Sequence, residues 1–416
     1  MLRAGIHSVS AGTLLGRALS TPDSRPVGAL RVLSAGKAAN AMATAAVHVL
    51  GGVIRGGLVV SHVEGRVPTS FEAVRGSHPV PTAESERAGQ RALALAASVA
   101  ADESLLVLLS GGGSAILAVP APGIALEDKR RTTDRLLKAG ADIHALNTVR
   151  KHISALKGGW LAAATSRPSL TLAISDVVGD DLSVIASGPT VPDASTFDDA
   201  VAVLRRFGGL DAYPASVVAR LQAGARGDIA ETPKPGDSRL ARAAARVIGG
   251  RRDAMDGAAL DAESRGYTVL RLDEPVVGEA RIAAVSHLHA AIARAADLRR
   301  PACIISSGET TVHVTGRGTG GRNQEFALAA AAPLAALGMP IVVASVGTDG
   351  IDGPTTAAGA WADSSTLDRA RAAGLHGPEW FLSNNDAHAF FAALGDLIIT
   401  GPTDTNVGDL QIVLIG

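Results

Sequence analysis

The chain has 416 residues, of which 47% are hydrophobic and 19% charged, with a formal net charge of -1. This composition is typical of a globular protein, and at roughly 100 to 200 residues per domain the length favours two domains. A near-zero net charge and an aromatic content of 3% argue against a nucleic-acid partner, which would require basic surfaces and stacking rings.

The first predicted element is helical. Leu2, Ile6 and Val9 share one helical face, and Leu15 and Leu19 share a second one. The same segment lacks acids and carries Arg and Ser, which superficially resembles a transit peptide. Because the apolar spacing is helical, we favour a kinked helix or two short helices.

After this segment, short runs rich in Val, Ile and Leu alternate with alanine-rich helical stretches. This pattern is typical of buried parallel strands covered by helices, so the sequence predicts an α/β fold. The predicted strands are 30–36, 56–61, 104–111, 170–178, 246–250, 268–273, 302–308, 310–316, 340–347, 396–400 and 410–416.

A polar stretch with proline and glycine, residues 222–243, interrupts the alternation. Such stretches are typical of linkers, so we place the domain boundary within it, giving domains 1–235 and 236–416.

The only cysteine, Cys303, lies in an apolar run, which predicts an inert buried thiol and a reducing, cytoplasmic location. No uninterrupted apolar run reaches the roughly 18 residues of a membrane span, so we expect no membrane association.

Several strands end in glycine or serine where a helix begins, and ligands of open α/β sheets bind at such junctions. Lys37 follows the first strand at a predicted helix start, where an anion would account for it; a solvated surface lysine is the alternative. A second junction is Ser110–Ser114, with Gly111, Gly112 and Gly113 between the serines. Consecutive glycines let backbone N–H groups approach an anion.

The strand at 170–178 is followed by three aspartates within six residues, Asp176, Asp180 and Asp181. Carboxylates in this arrangement are suited to positioning a hydroxyl, to holding Mg²⁺, or to both. Aspartate is also common in turns, so each of them alone could be a turn residue.

A complete G-x-G-x-x-G occurs at Gly316, Gly318 and Gly321. A dinucleotide fingerprint would place an acidic residue about 20 positions later, but the next strand ends without one, and Asp349 comes too late. The signature motifs of protein kinases are absent as well. Arg322 follows the glycines, and its permanently charged fork suits a phosphoryl group or a carboxylate.

Our candidate residues fall into three groups. The catalytic candidates are Lys37, Arg322 and Asp176. The candidates for binding substrate or nucleotide are His78, Ser110, Gly111, Gly112, Gly113, Ser114, Glu309, Gly318, Gly321 and Asn323. The candidates for metal binding are Asp180 and Asp181.

Taken as a set, the motifs resemble the class II, MOFRL-type glycerate kinases, from about residue 4 to the C-terminus. The motifs, in family order, are GKAANAMA, GSHPVPTAES, LLSGGGSA, LNTVRKHISALKGGWLA, ISDVVGDDLSVIASGPTVPD, SGETTVHVTGRGTGGRNQEFALA, GTDGIDGPTTAAGA and GPTDTNVGDLQIVL. So many long motifs in one order are far more specific than a single glycine loop.

The resemblance implies ATP- and Mg²⁺-dependent phosphorylation of D-glycerate, in most members to 2-phosphoglycerate. It also implies a Rossmann-like N-terminal domain, a smaller α/β C-terminal domain and an active site in the cleft between them, with a homodimer possible. Lys37 and Arg322 match the essential cations of the family, and an aspartate of SDVVGDD would lie beside the substrate.

Two alternatives stay open at the level of sequence. An NAD(P)H-dependent hydroxypyruvate reductase would use the G-x-G-x-x-G, although the acid for the ribose is missing. A non-catalytic module that binds small molecules would tolerate neutral residues at positions 37 and 322.

Overall fold

The computed structural model describes residues 1–20 and 25–416. Contacts divide the chain into two compact units: an N-terminal unit, Leu14–Ile248, and a C-terminal unit formed by Gly249–Gly416 together with Met1–Thr13. This division falls later in the chain than the boundary that we expect between residues 235 and 236, which stays a prediction.

The structure contains sixteen α-helices within the described residues. They are α1 Leu2–Ser8, α2 Ala11–Ala18, α3 Ala39–Leu50, α4 Ala83–Ala97, α5 Gly113–Ile116, α6 Leu126–Lys138, α7 Ile143–His152, α8 Trp160–Ala163, α9 Phe197–Arg206, α10 Ala215–Ala225, α11 Arg251–Ser264, α12 Ala280–Arg294, α13 Arg322–Leu337, α14 Thr366–Ala372, α15 Pro378–Ser383 and α16 Ala387–Leu394. None of the helices in this part of the chain is long and apolar enough to cross a membrane.

The same residues form thirteen strands. They are β1 Ala29–Ala35, β2 Ile54–Ser61, β3 Phe71–Arg75, β4 Glu103–Leu109, β5 Ser169–Ile174, β6 Ala243–Gly249, β7 Thr268–Arg271, β8 Val276–Glu279, β9 Ala302–Thr311, β10 Ile341–Gly347, β11 Gly359–Asp363, β12 Leu397–Ile398 and β13 Asp409–Ile415. The predicted α/β class is confirmed, and the predicted N-terminal helical segment is two short helices, α1 and α2.

The sheet of the N-terminal unit has the strand order β3-β2-β1-β4-β5-β6, and β1 to β5 pair in parallel. This order is that of doubly wound nucleotide-binding folds. Every residue of the central strand β4 is buried, because helices cover both faces of such a sheet, and this is why the strand reads as a continuous apolar run. The order reverses between β1 and β4, so ligands are expected beyond the carboxyl ends of these two strands.

The sheet of the C-terminal unit is mixed. Its order is β12-β11-β10-β13-β9-β7, with β8 also paired to β9. The strands β9, β13, β10, β11 and β12 pair in antiparallel fashion, whereas β7 and β8 lie parallel to β9. The parallel pattern that alternating strands and helices suggest therefore holds for the N-terminal unit but not for most of this sheet.

The strand prediction is wrong at β9. We predict two strands, 302–308 and 310–316, but one strand continues through Gly308 and ends at Thr311. A side chain on Gly308 would collide with the backbone of Val276 in β8. The glycine therefore allows a close approach between strands and does not mark a break. Cys303, in the same strand, is fully buried, and burial raises the pKa of its thiol to about 12, so the predicted burial of the thiol is confirmed.

Candidate functional site

Lys37 lies beside the glycine loop at the point where the strand order reverses. Its backbone N–H donates to Gly111 O at 2.9 Å, and the N–H of the next residue donates to Ser110 Oγ at 2.9 Å. Between strand and lysine, Gly36 has φ of 127°, and a Cβ there would lie 2.6 Å from Ser110 O. The turn that presents Lys37 therefore depends on glycine at position 36.

We expect Gly36→Ala to lower the free energy of unfolding by about 2 to 4 kcal/mol, because the new methyl group meets Ser110 and alanine disfavours positive φ. Gly52→Ala is the matched control, since a Cβ at position 52 meets nothing within 4 Å. Urea denaturation followed by circular dichroism measures both variants. Equal midpoints for the two would show that the turn tolerates a side chain.

The loop after β4 leaves its backbone donors available. Within the described residues, no backbone oxygen accepts a hydrogen bond from the N–H groups of Gly111, Gly112, Gly113 and Ser114. Gly112 has φ of 83°, and His78 lies against it, since a Cβ on Gly112 would be 3.0 Å from His78 Cδ2. Successive free N–H groups form a concave surface that attracts anions. His78, Lys37 and this loop therefore lie together, and the binding roles of these residues stay predictions.

The segment after β5 contacts the same loop through hydroxyl groups. Ser114 Oγ lies 2.8 Å from Ser187 Oγ, which donates to Asn147 Oδ1 at 2.9 Å. Ser187 has φ of 62° and Ala186 has φ of 52°, a conformation that is rare outside glycine. Ser114 is therefore linked through Ser187 to Asn147 on α7. Spacing in the sequence could not reveal this link, because Asn147 lies on a distant helix.

The three aspartates that follow β5 differ in their surroundings. Asp176 and Asp180 are half-buried and Asp181 is exposed. Asp181 Oδ1 accepts a hydrogen bond from Ser183 N at 2.8 Å, so this carboxylate caps the following turn. Among the residues that the structure describes, no group of three or more His, Cys, Asp or Glu side chains could hold a metal ion. The metal role of Asp180 and Asp181 stays a prediction.

In the C-terminal unit, Arg322 is the first residue of α13 and pairs with two carboxylates. Its Nε donates to both oxygens of Asp409, at 3.0 and 2.8 Å, and its guanidinium lies 3.0 Å from Glu309 Oε1. Burial acts to lower the pKa of Arg322, but the charges of Asp409 and Glu309 raise it above its ordinary value. Burial raises the pKa of Asp409 to about 6, although the charge of Arg322 opposes this shift.

Asp352 fixes the start of α13. Its Oδ1 accepts the backbone N–H of Asn323 at 3.0 Å, and its Oδ2 accepts the backbone N–H of Gln324 at 2.9 Å. A side chain on Gly321 would collide with Asp352. The carboxylate therefore caps the first turn from a distant loop, and Gly321 makes room for it.

The glycines of the G-x-G-x-x-G have a structural partner in a segment that we did not single out, 384–386. Asn385 Oδ1 accepts the N–H groups of Thr315 and Gly316 at 2.8 and 2.9 Å. Asn384 O accepts the N–H of Gly318 at 2.8 Å, and a Cβ on Gly318 would lie 2.6 Å from that oxygen. These donors are therefore occupied within the protein, unlike those of the loop after β4. A ligand role for Gly318 and Gly321 stays a prediction.

The chain has a doubly wound sheet with free N–H groups at its switch point and a second α/β unit with a paired arginine. Such features are typical of proteins that bind small anionic molecules. Comparison with known proteins narrows this class. The profile described as a domain of unknown function (DUF4147) matches residues 1–222, and the MOFRL family profile matches residues 302–409.

Individual relatives match nearly the whole chain. A D-glycerate 2-kinase of Thermotoga maritima is 40% identical over 391 residues, which cover 92% of this chain and 90% of that protein. A protein of Agrobacterium vitis, named provisionally as a hydroxypyruvate reductase, is 41% identical and covers 94% of this chain and 88% of its own length. The crystal structure of a glycerate kinase from Thermotoga maritima superposes with a TM-score of 0.88 at 38% identity, covering 100% of this chain and 97% of that one. The chain belongs to the glycerate kinase family.

Proposed function

We propose that this protein transfers the γ-phosphoryl group of ATP to the 2-hydroxyl of D-glycerate in the presence of Mg²⁺. The observation that carries the proposal is the row of free N–H groups at Gly111–Ser114 beside Lys37, at the switch point of a nucleotide-binding sheet. Phosphoryl transfer depends chiefly on positioning and charge neutralisation, and these groups supply both. The names of the T. maritima relatives support glycerate as the acceptor.

Asp176 is the residue that we propose to orient the glycerate hydroxyl or accept its proton. It follows β5, the neighbour of β4 in the sheet, so its backbone lies at the same carboxyl edge as the glycine loop. Arg322 is proposed to neutralise charge on the transferred group, since a guanidinium offers a planar fork of donors to phosphate oxygens. A homodimer and a cytoplasmic location stay predictions.

The carboxylates in the loop after β5 fit a Mg²⁺ ion that binds together with the nucleotide. Mg²⁺ usually binds one or two carboxylates and otherwise uses phosphate oxygens and water, and Asp180 can supply a carboxylate at the loop after β5 without a three-residue protein cage. When bound, the ion would neutralise charge on the phosphate oxygens. Asp181 fits less well, because one of its oxygens already caps a turn.

The assay uses purified protein, ATP, MgCl₂ and D-glycerate, with ADP and the phosphorylated product both measured. Enolase added without phosphoglycerate mutase converts 2-phosphoglycerate, but not 3-phosphoglycerate, to phosphoenolpyruvate. ADP release with immediate enolase turnover supports the proposal. ADP release that needs the mutase as well would assign the 3-hydroxyl instead.

A hydroxypyruvate reductase is the second candidate, favoured by the name of the A. vitis relative. Against it, the N–H groups of Gly316 and Gly318 already have partners within the protein, whereas a dinucleotide fingerprint must offer such groups to a pyrophosphate. Oxidation of NADH or NADPH by hydroxypyruvate, without ADP release in the first assay, would support the reductase.

We expect kcat/KM to fall as the pH is lowered through about 6, because Asp409 must be ionised to hold Arg322 in its paired geometry. The contribution of Asp409 to folding stability changes with pH in the opposite direction from the activity. A folded-state pKa raised from 3.8 to about 6 means that this group contributes stability below pH 4 which is lost as the pH rises through 6. The loss of activity at low pH should therefore occur without unfolding caused by protonation of Asp409.

Steady-state rates between pH 5 and 8, with circular dichroism at each pH, measure this effect. Asp409→Asn, which cannot ionise, should be slower at pH 8 and should lack the acid limb near 6. An Asp409→Asn profile that keeps the wild-type limb would assign the ionisation to another group.

A further inference from the structure

Three cationic side chains converge behind the glycine loop of the N-terminal unit. Lys157 is fully buried, and its Nζ donates to Leu117 O at 3.1 Å and to Ala186 O at 3.3 Å. Leu117 directly follows α5, which begins in the glycine loop. Lys157 therefore ties the loop after β4 to the loop after β5 through neutral carbonyl groups, and its charge has no carboxylate partner among the described residues.

Lys129 and Arg150 share these surroundings. Lys129 is buried, and its Nζ donates to the backbone oxygens of Arg150 and Ile153 at 3.4 and 3.2 Å. Burial, and then the charge of Arg150, lowers the pKa of Lys129 to about 7. The pKa of Lys157 is also lowered, first by burial and then by the charges of Lys129 and Arg150. A lowered pKa lets each lysine relieve this repulsion by losing its proton, so the charge that persists in this group is that of Arg150.

Arg150 is the member of this cluster that a ligand can reach. It is half-buried, whereas the two lysines are buried, and burial lowers its pKa to about 10, so it is charged at neutral pH. Within residues 1–20 and 25–416, its guanidinium forms neither a hydrogen bond nor an ion pair.

The two residues that follow it on α7 are paired. Lys151 lies 3.2 Å from Asp193, and His152 lies 3.2 Å from Glu231. The fold therefore compensates the neighbouring basic groups of this helix and leaves the charge of Arg150 uncompensated.

Arg150 is also placed toward the candidate site. Asn147 lies three residues earlier on α7, so the two side chains project from the same face of the helix. Asn147 accepts from Ser187, which in turn lies 2.8 Å from Ser114. The face of α7 that carries Arg150 is therefore the face that is joined to the glycine loop.

We infer that Arg150 binds an anionic oxygen group of the substrates beside the glycine loop, and we assign it the carboxylate of D-glycerate. A guanidinium fork matches a carboxylate with two parallel hydrogen bonds. A phosphate of the nucleotide offers the same chemistry, and the experiment separates the two sources. The inference rests on the proposed function for the identity of the ligand but not for the presence of an anion site.

The experiment measures binding without turnover. Isothermal titration calorimetry determines the affinity of the full-length protein for D-glycerate alone and for ATP alone, and the unfolding midpoint is followed with inorganic phosphate at constant ionic strength. Arg150→Met keeps the length of the side chain and removes its charge, and Arg150→Lys keeps the charge without the fork. Arg131→Met, at an exposed position on α6, is the matched control.

We expect Arg150→Met to weaken binding of D-glycerate by about 100-fold, with an unchanged or higher unfolding midpoint because a repelling charge is removed. Arg150→Lys should be intermediate, and Arg131→Met should match the wild type. Loss of ATP affinity alone would identify the phosphate as the ligand. Wild-type affinity of Arg150→Met for D-glycerate, ATP and phosphate would overturn the inference.

Failure of the proposed function has a different signature. A wild-type protein that releases no ADP but is stabilised by phosphate, with that stabilisation lost in Arg150→Met, would keep the anion site and refute the kinase. A wild-type protein that binds none of the three ligands would refute the anion site itself.

Discussion

Lys37→Ala is expected to lower kcat/KM for ATP-dependent phosphorylation of D-glycerate by about 10³-fold, or roughly 4 kcal/mol of transition-state stabilisation. The reason is positional. Lys37 immediately follows the turn at Gly36, its backbone bonds to Gly111, and the adjoining loop offers free N–H groups. Charge that develops on a phosphoryl group near this loop would lose its neighbouring cation.

Two further variants test that reason. Lys37→Arg keeps a positive charge in a different geometry and should retain more activity than the alanine variant. Lys138→Ala removes a lysine that is 71% exposed and pairs with Asp134 on the same helix, so it should match the wild type. Full activity in a folded Lys37→Ala protein would favour the non-catalytic binding module over the kinase.

This part of the site can be predicted from the sequence because it depends on local order. Apolar runs that alternate with helices indicate parallel strands, and the carboxyl ends of parallel strands meet at one edge of a sheet. Lys37, Gly111–Gly113 and Asp176 each directly follow such a run, so their arrangement at one edge follows from spacing alone. The strand order itself, which puts β1 beside β4, is not encoded in any single segment.

The C-terminal unit is less predictable because its important contacts join distant segments. The donors of the G-x-G-x-x-G bond to Asn384 and Asn385, about 70 residues later in the chain. Nothing in the motif distinguishes glycines that make room for a neighbouring loop from glycines that make room for a phosphate. Asp352 caps α13 from a distant loop, and no local pattern indicates that contact.

Buried charge without a partner is the other feature that the sequence conceals. Arg150 and Lys151 are adjacent basic residues in one motif, and the sequence does not indicate which of them forms a salt bridge. Only the structure shows that Lys151 meets Asp193 while Arg150 has no partner in the described part of the chain. The difference arises from which face of α7 each side chain occupies, and on that basis we separate a structural cation from a binding one.

Arg322→Ala is expected to lower kcat/KM by about 10³-fold as well, within the range for arginines that neutralise a transferring phosphoryl group. Arg322 Nε donates to both oxygens of Asp409, at 3.0 and 2.8 Å, and this holds the guanidinium at the start of α13. Arg322→Lys keeps the charge but loses the fork, and should recover only part of the activity. Arg317→Ala, at an exposed position in the same segment, is the matched control.

The alternative cause of such a loss is structural, because Arg322→Ala leaves the buried carboxylate of Asp409 without its cation, which is strongly destabilising. The double variant Arg322→Ala/Asp409→Asn removes both charges and separates the two causes. If Arg322 acts on the substrate, the double variant regains its unfolding midpoint but stays about 10³-fold impaired in kcat/KM. Recovery of activity together with stability would mean that Arg322 only compensates Asp409, and the cation that neutralises the phosphoryl group would have to be sought in the N-terminal unit.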